Sequence, residues 1–437
     1  MSWANTKVGP LTRVNALRYS VEWVDEASNA AQEERATVAN FCLFLAEQNV
    51  TLHLRGGDNY DYLTISLYSL AEGLAHDWWT LFGRRDREIS LMDHRSGYAV
   101  PDIRMKFDGS VFEFSARQLT YDNPNVRFWV GPTELTNRQN AQDQLACFIR
   151  IVLERLESKN VLTTSAALRW ARVQESMSNS DEAAFCEAAG ALDLDPYQIS
   201  EKDAATISNA SEIFSGEALL EFLSGLGSAN EDRLLEWIKA TEHRSPYKAR
   251  VGELRRIASD VAGRAPAREF EESWALGYRR AQAMRSALNL GTSDRFRSFK
   301  ALAEMLGAKK TFELAAQVDG LRALRSDHAD AIYIHLRNHG GASEAKATHL
   351  FSFARAVGDA ACFLDEGNAP VNELHSAYRQ AAGRAFAAEF LAPISEVDSM
   401  LDDGRDIVSI ADEFTVATTV IERQIENRTR IKKAVSK

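Results

Sequence analysis

The first 160 residues mix apolar positions at strand spacing with apolar positions at helical spacing. Alternation or apolar runs bounded by turn residues predict strands at residues 21–24, 51–55, 63–67 and 127–130. Apolar residues recur every three to four positions at 70–82 and again from about Arg138 to Leu156, which predicts two helices. These patterns together predict a mixed α/β domain over residues 1–160.

Asp108-Gly109 separates the apolar stretches 103–107 and 111–116, and this dipeptide favours a tight hairpin turn. Pro101-Asp102, with Glu113 in the second strand, resembles the pattern of PD-(D/E)xK nucleases, in which two carboxylates hold magnesium and a lysine assists. Phe114 and Ser115 follow Glu113 where that pattern has the lysine. A hairpin without chemistry is the preferred interpretation.

Residues from about 163 to 243 have a helical pattern throughout, so 161–245 is predicted to be a helical middle segment. Residues 185–196 contain an apolar helix, Gly190 and Pro196, as half of a helix-turn-helix motif does. A helix that reads DNA needs positive charge, whereas this one is surrounded by acidic residues. These are Asp181, Glu182, Glu187, Asp193 and Asp195. A small packing module is therefore the better interpretation, and 245–247 is the predicted boundary.

Composition narrows the class of protein. A chain of 437 residues is expected to form two or three domains, and no apolar run approaches the length needed to span a bilayer. The N-terminus has no signal-peptide pattern and the four cysteines are scattered, which favours the cytoplasm. The net charge of −11 argues against a surface that coats nucleic acid broadly, and no membrane partner is expected.

Residues 351–359 and 384–393 resemble the zinc-binding helix and the segment after it in ImmA/IrrE-type metallopeptidases, whose helix follows a pattern close to F-[ST]-x-A-H-E-x-G-H. Phe351, Ser352, Ala354 and Gly358 keep the framework of that pattern. Further elements follow the order of the family over about 190 residues. They are a helix at 273–288, a short helix at 302–307, a strand at 331–336 and two closing helices at 410–416 and 420–427. The resemblance implies a mainly helical peptidase-like domain with a small sheet over 246–437.

The metal-binding positions of that pattern hold Arg355, Ala356 and Asp359. A guanidinium group has no lone pair for zinc, and an alanine cannot take a proton from water. The family's third ligand would fall at 380–382, where no carboxylate occurs. We therefore predict a domain without peptidase activity, metal or cofactor. The alternative is a rebuilt metal site that uses His349, Glu366, Glu373 or His375.

Arg355 and Asp359 are four residues apart on the predicted helix, so they are expected to pair with each other. The pair would close the former cleft or present a guanidinium fork to a partner carboxylate. Arg355, Asp359, Arg384 and Glu389 are the predicted partner-binding residues.

Trp78 and Trp79, with Trp129 and Phe128, form a candidate aromatic platform for bases or peptides. Adjacent positions on a helix point about 100° apart, so one of the two tryptophans is expected to pack inward and the other to reach a surface. Arg84, Arg85 and Arg87 follow in what is predicted to be a solvated loop. Together with Trp78 and Trp79, these arginines form a candidate anion-binding patch. Packing of the rings in the core is the preferred alternative.

The sequence thus predicts an α+β protein with a mixed domain (1–160), a helical segment (161–245) and a pseudo-metallopeptidase domain (246–437). The expected function is that of a regulatory or scaffold subunit that binds a protein such as an effector, a repressor or a defence-complex subunit. Prokaryotic stress-response, toxin–antitoxin and anti-phage defence systems are the contexts that the resemblance implies. The alternative is a nucleic-acid-binding or nucleolytic subunit acting through the first domain.

Overall fold

The computed structural model describes residues 16–25, 30–120, 126–226, 231–243, 249–308, 313–316, 318–329, 331–338, 343–364 and 367–435. The chain forms two compact units, residues 1–200 and 201–437. The division falls inside the predicted helical segment, whose helical character is confirmed. The predicted boundary at 245–247 and Glu366 lie outside the described residues.

The first unit contains short strands and six α-helices among its described residues, so the predicted mixed character is confirmed. Its strands are β1 (Leu17–Trp23), β2 (Val38–Leu45), β3 (Gln48–Asn49), β4 (His53–Arg55), β5 (Asp58–Tyr60), β6 (Leu63–Ser66), β7 (Ile89–Ser90), β8 (Asp102–Phe107), β9 (Phe112–Arg117), β10 (Leu119–Thr120), β11 (Val126–Phe128) and β12 (Thr133–Thr136). Its helices are α1 (Gln32–Ala36), α2 (Tyr68–His76), α3 (Trp78–Gly83), α4 (Arg138–Ser158), α5 (Ser165–Met177) and α6 (Ser180–Ala191).

These strands form three antiparallel sheets. Their orders are β1-β2-β3 with β6 also on β2, β10-β11-β4-β5, and β12-β9-β8-β7. The predicted hairpin is β8–β9, in which Phe107 faces Phe112. Asp108 fixes its turn, because its carboxylate accepts hydrogen bonds from the backbone N–H groups of Ser110 (2.9 Å) and Val111 (2.8 Å).

Two glycines bring α3 and α6 into close contact. A Cβ at Gly190 would lie 2.2 Å from the carbonyl oxygen of Trp79, and one at Gly83 would lie 2.3 Å from that of Glu187. Only glycine allows the two backbones to approach this closely. The interpretation of residues 185–196 as a packing element is confirmed.

The second unit is mainly helical, with one small sheet. Its helices are α7 (Glu201–Ser211), α8 (Gly216–Ser224), α9 (Glu231–His243), α10 (Leu254–Arg264), α11 (Ser273–Ala287), α12 (Phe299–Met305), α13 (Ser343–Cys362), α14 (Tyr378–Leu391), α15 (Ile394–Asp402), α16 (Ile407–Phe414) and α17 (Thr418–Val435). Its strands are β13 (Ala249–Val251), β14 (Ala323–His328), β15 (Ala331–Leu336) and β16 (Gly367–Val371), in the antiparallel order β13-β15-β14-β16.

The centre of this unit is the packing of α13 and α14, which carry the residues of the candidate cleft. Phe386 of α14 is fully buried and lies against Gly358 of α13, where a Cβ would come within 2.5 Å of the ring. Helix α11 also packs closely on α14, because a Cβ at Gly277 would come within 2.4 Å of the carbonyl oxygen of Ala382. The α+β class is confirmed, and among the described helices none has the length and apolar character of a membrane span.

Candidate functional site

A buried network of charged side chains occupies the site at which the sequence predicted a degenerate cleft. Helix α13 contributes Asp359, and its carboxylate accepts hydrogen bonds from Nε (2.5 Å) and Nη2 (2.8 Å) of Arg379 at the start of α14. Arg325 of β14 forms a second ion pair with it, at 2.9 Å. All three side chains are buried, so each carboxylate oxygen of Asp359 faces a guanidinium group in a dry environment.

Arg355, one helical turn before Asp359, has different partners. Its Nη2 donates to the carbonyl oxygen of Asn372 (2.5 Å) and to Oε1 of Gln380 (3.0 Å). The predicted pair between Arg355 and Asp359 is therefore wrong. Side chains on a helix lean towards its N-terminus, which carries Arg355 away from position 359. Burial, together with the positive charge of Arg384, lowers the pKa of Arg355 to about 9.

Gln380 links this arginine to an acid that the sequence analysis missed. Its Nε2 donates to Oε2 of Glu221 (2.7 Å) and to the carbonyl oxygen of Pro370 (2.7 Å). Glu221 belongs to α8 and is completely buried, and this burial raises its pKa to about 8. The sequence feature that could have identified Glu221 is its position as an acidic residue inside the apolar run 218–223, since a buried acid is rare.

The network reaches the surface at Glu373. Arg322 forms an ion pair with this carboxylate, and Nη1 of Arg355 lies 3.8 Å from it. Burial opposes ionisation of Glu373, but Arg355 and Arg322 outweigh it and hold its pKa below the usual range. Arg384 of α14 lies beside them and donates from Nη2 to the carbonyl oxygen of Leu374 (2.5 Å). We call Arg322, Arg355, Glu373 and Arg384 the arginine mouth.

The structure brings Arg355 and Arg384 together but places Glu389 in another polar cluster. The carboxylate of Glu389 accepts hydrogen bonds from Gln282 (2.9 Å), Gln424 (3.2 Å) and the backbone N–H of Ile394 (3.0 Å), and burial raises its pKa. Asp359 and Glu389 are buried and internally bonded, whereas Arg384 is half-buried. A role of the four predicted residues in partner binding stays a prediction.

The histidines considered for a rebuilt metal site lie in unlike environments. His349 is buried edge-on against Phe299, with a ring distance of 5.8 Å, and burial and Arg337 lower its pKa. His375 is exposed. In the part of the chain that the structure describes, no three His, Cys, Asp or Glu side chains are grouped to hold a metal ion.

Trp78 and Trp79 are both buried, so the expectation that one of them reaches a surface is wrong. The predicted single helix breaks at Asp77 into α2 and α3, and every residue of α3 except Thr80 is buried. Trp78 packs edge-on against Trp170 at 4.9 Å, and Nε1 of Trp79 donates to the hydroxyl of Tyr197 (3.0 Å). The preferred interpretation as core residues is confirmed. Phe128 is buried as well, whereas Trp129 is partly exposed.

The three arginines after α3 also have internal partners. Arg85 is fully buried, donates to the carbonyl oxygens of Phe82 and Gly83 and lies over the ring of Phe107 at 4.8 Å. Its predicted place in a solvated loop is wrong. Arg84 binds Asp86 (2.5 Å) and the carbonyl oxygen of Ala191 (3.0 Å), and Arg87 binds Asp193. Anion binding by these arginines stays a prediction.

Asp102 and Glu113 are not placed to share a magnesium ion. Asp102 lies opposite Arg117 and Glu113 opposite Lys106, so the two acids are four positions apart along the hairpin, roughly 13 Å. The buried carboxylate of Asp102 already accepts hydrogen bonds from Ser90 (2.8 Å) and Arg104 (2.6 Å). The preferred interpretation of this hairpin, as structure without chemistry, agrees with these contacts.

No family model, curated protein or solved structure matches this chain. The resemblance to ImmA/IrrE-type peptidases stays a prediction from the sequence. The site contains several guanidinium groups, and most of them are paired with carboxylates. It reaches the solvent at Glu373, which lies beside Arg322 and Arg355. Such a set can bind and orient a negatively charged group.

Proposed function

We propose that this chain is a regulatory or scaffold subunit that binds a protein partner through its second unit and does not cleave it. In this proposal residues 246–437 of the second unit form a peptidase-like domain whose zinc site has been replaced by charged side chains. The proposed setting is the cytoplasm of a prokaryote, in a stress-response, toxin–antitoxin or anti-phage defence system.

One observation carries the proposal: at positions 355 and 359, which would hold zinc in the family that the sequence resembles, there are an arginine and an aspartate bound by two arginines. Asp359, the one acid among the three replaced positions, is bound by Arg379 and Arg325. Arg355 is held by Asn372 and Gln380. A divalent cation would meet positive charge at this place, and a guanidinium group offers it no lone pair.

The network also supports binding on energetic grounds. Burying several charges costs free energy, and apolar residues of similar volume often stabilise a fold at least as well. This buried charged network reaches the solvent at half-exposed Glu373. Binding of a partner therefore accounts for it better than a contribution to stability alone. In a protein partner, charged side chains are the groups that such a surface selects.

The test is affinity purification of the full chain from its native host, followed by intact-mass measurement of the co-purified protein. We expect one protein in constant proportion that keeps its full length during incubation with the chain. We also expect less than one zinc per chain by metal analysis. Arg384→Glu should lose the partner. Arg87→Glu, which reverses a half-exposed arginine of the first unit, should keep it.

Two results would contradict the proposal. Shortening of the partner that stops when a chelator is added would reveal a metallopeptidase. A co-purified nucleic acid that is lost with Arg87→Glu but not with Arg384→Glu would favour the nucleic-acid alternative.

A further inference from the structure

We propose that the arginine mouth is an oxyanion-binding site, and that it takes a carboxylate from an acidic segment of the protein partner. This inference rests on the proposed function and specifies the chemistry of the contact. Arg355 forms the floor of the site from α13, Arg384 approaches from α14, and Arg322 lies just before β14.

Positive charge exceeds negative charge in the mouth. Glu373 is within ion-pair distance of both Arg322 and Arg355, and Arg384 adds a third positive charge to these four side chains. Asp359 is already bound by Arg379 and Arg325. Glu221 adds little negative charge at neutral pH, because burial raises its pKa to about 8. Arginine does not shed its proton easily, so a further anion is the natural source of compensation.

Unused hydrogen-bond donors point to the same conclusion. Nε of Arg355 and Nη1 of Arg384 are buried and have no acceptor within the described part of the chain. Arg355 is only 4% exposed, so an acceptor reaches these donors only when a neighbouring side chain such as Glu373 moves aside. An oxyanion that enters beside Glu373 would bring acceptor oxygens to a place where buried donors lack them.

The shape of the site favours a carboxylate. Glu373 already places a carboxylate oxygen between Arg322 and Arg355, which shows that the mouth accepts a group of this shape. The side chain of Glu373 is 53% exposed and can move towards solvent. The incoming carboxylate then replaces or joins it against the planar guanidinium groups. In this way Glu373 acts as an internal competitor of the ligand.

This competition gives two variants with opposite expected effects. The probe is a fluorescein-labelled peptide rich in Asp and Glu, and its binding to the full chain is followed by fluorescence anisotropy. Arg384→Gln should weaken binding roughly tenfold or more, since it removes a charge-assisted hydrogen bond. Glu373→Gln should strengthen binding severalfold. Arg256→Gln is the matched control, because it removes a 73%-exposed arginine that also pairs with a glutamate, and it should leave binding unchanged.

Arg384→Lys keeps the positive charge without the fork and should retain part of the affinity, which separates recognition from misfolding of the Gln variant. Equal weakening by Arg256→Gln, or no gain with Glu373→Gln, would overturn the site. Stabilisation of the chain by inorganic phosphate or succinate but not by the peptide would overturn the protein source of the carboxylate. A native partner that binds Arg384→Gln and Arg384→Glu as tightly as the parent would overturn this inference while leaving partner binding itself intact.

Discussion

At the residue scale, Asp359 is the acid on which the buried network depends. It holds two buried guanidinium groups at once, so its removal leaves both without their counter-charge. Asp359→Ala is therefore expected to lower the free energy of unfolding by roughly 3–5 kcal/mol, as breaking a buried ion pair does. Urea denaturation of the full chain measures this. Arg256→Ala breaks an exposed pair and should change the free energy by less than about 1 kcal/mol. Equal effects of the two variants would show that the network contributes little.

Glu221 gives the same network a pH dependence. Burial raises its folded-state pKa to about 8 from the usual 4.5 of a glutamate, so between these pH values the folded state binds a proton that the unfolded state has released. The contribution of this proton to the free energy of unfolding is fully present below about pH 4.5 and is lost as the pH rises towards 8. The slope is at most about 1.4 kcal/mol per pH unit.

Glu221→Gln should remove that slope, because the amide stays neutral throughout. His349 and His375, whose pKa values are lowered, act with the opposite sign near and below pH 6.5 in both proteins. The difference between variant and parent therefore isolates Glu221. Thermal unfolding from pH 5 to 8 is the measurement, and parallel curves for the two proteins would show that Glu221 ionises normally.

At the scale of elements, the sequence predicted those whose signal is local. The hairpin around Asp108-Gly109 is found where its turn residues placed it. The strand at 331–336 and the helix that carries Arg355 and Asp359, both of which the family resemblance implied, are also present. Residues 38–45 were not predicted as a strand, because a nearly continuous apolar run fits a buried strand and a buried helix equally well. Their pairing with β1, β3 and β6 makes them the centre of a sheet, and that pairing is not a local property.

In the candidate site, too, the sequence predicted the local features but not the contacts between distant residues. Arg355 and Asp359 could be identified on one helix, but their partners come from β14, α14 and α8. Arg325 and Glu221 are 34 and 138 residues from Asp359 along the chain. Helical spacing contains no information about contacts over such separations, so the sequence predicted a pair within the helix where tertiary packing formed a network.

The crossing of α3 and α6 gives a prediction at the element scale. Gly190→Ala places a Cβ against the backbone of Trp79, so the helices must separate, and we expect a loss of about 1–3 kcal/mol in the free energy of unfolding. Gly263→Ala is the matched control in α10, where a Cβ meets nothing within 4 Å. That change should stabilise the protein by roughly 0.5–1 kcal/mol, since alanine favours a helix. Denaturant unfolding of both variants should therefore show shifts of opposite sign.

At the scale of the whole molecule, charge separates the two candidate functions. The net charge of −11 opposes binding to random DNA at physiological salt, because non-specific affinity comes mainly from neutralising phosphates. The arginine patch of the first unit adds little, since Arg84 and Arg87 are paired with acids and Arg85 is fully buried. Trp78 and Trp79 offer no exposed ring on which a base could stack.

We therefore expect no binding of a labelled random DNA duplex or single strand by the full chain at about 150 mM salt in a gel-shift assay. Replacing Arg84 and Arg87 by glutamate should leave partner binding unchanged, whereas Arg384→Glu should abolish it. The buried Arg85 is left out of this test because its reversal would disrupt the core. Tight, salt-sensitive DNA binding that disappears when Arg84 and Arg87 are reversed would contradict the partner-binding proposal and move the function to the first unit.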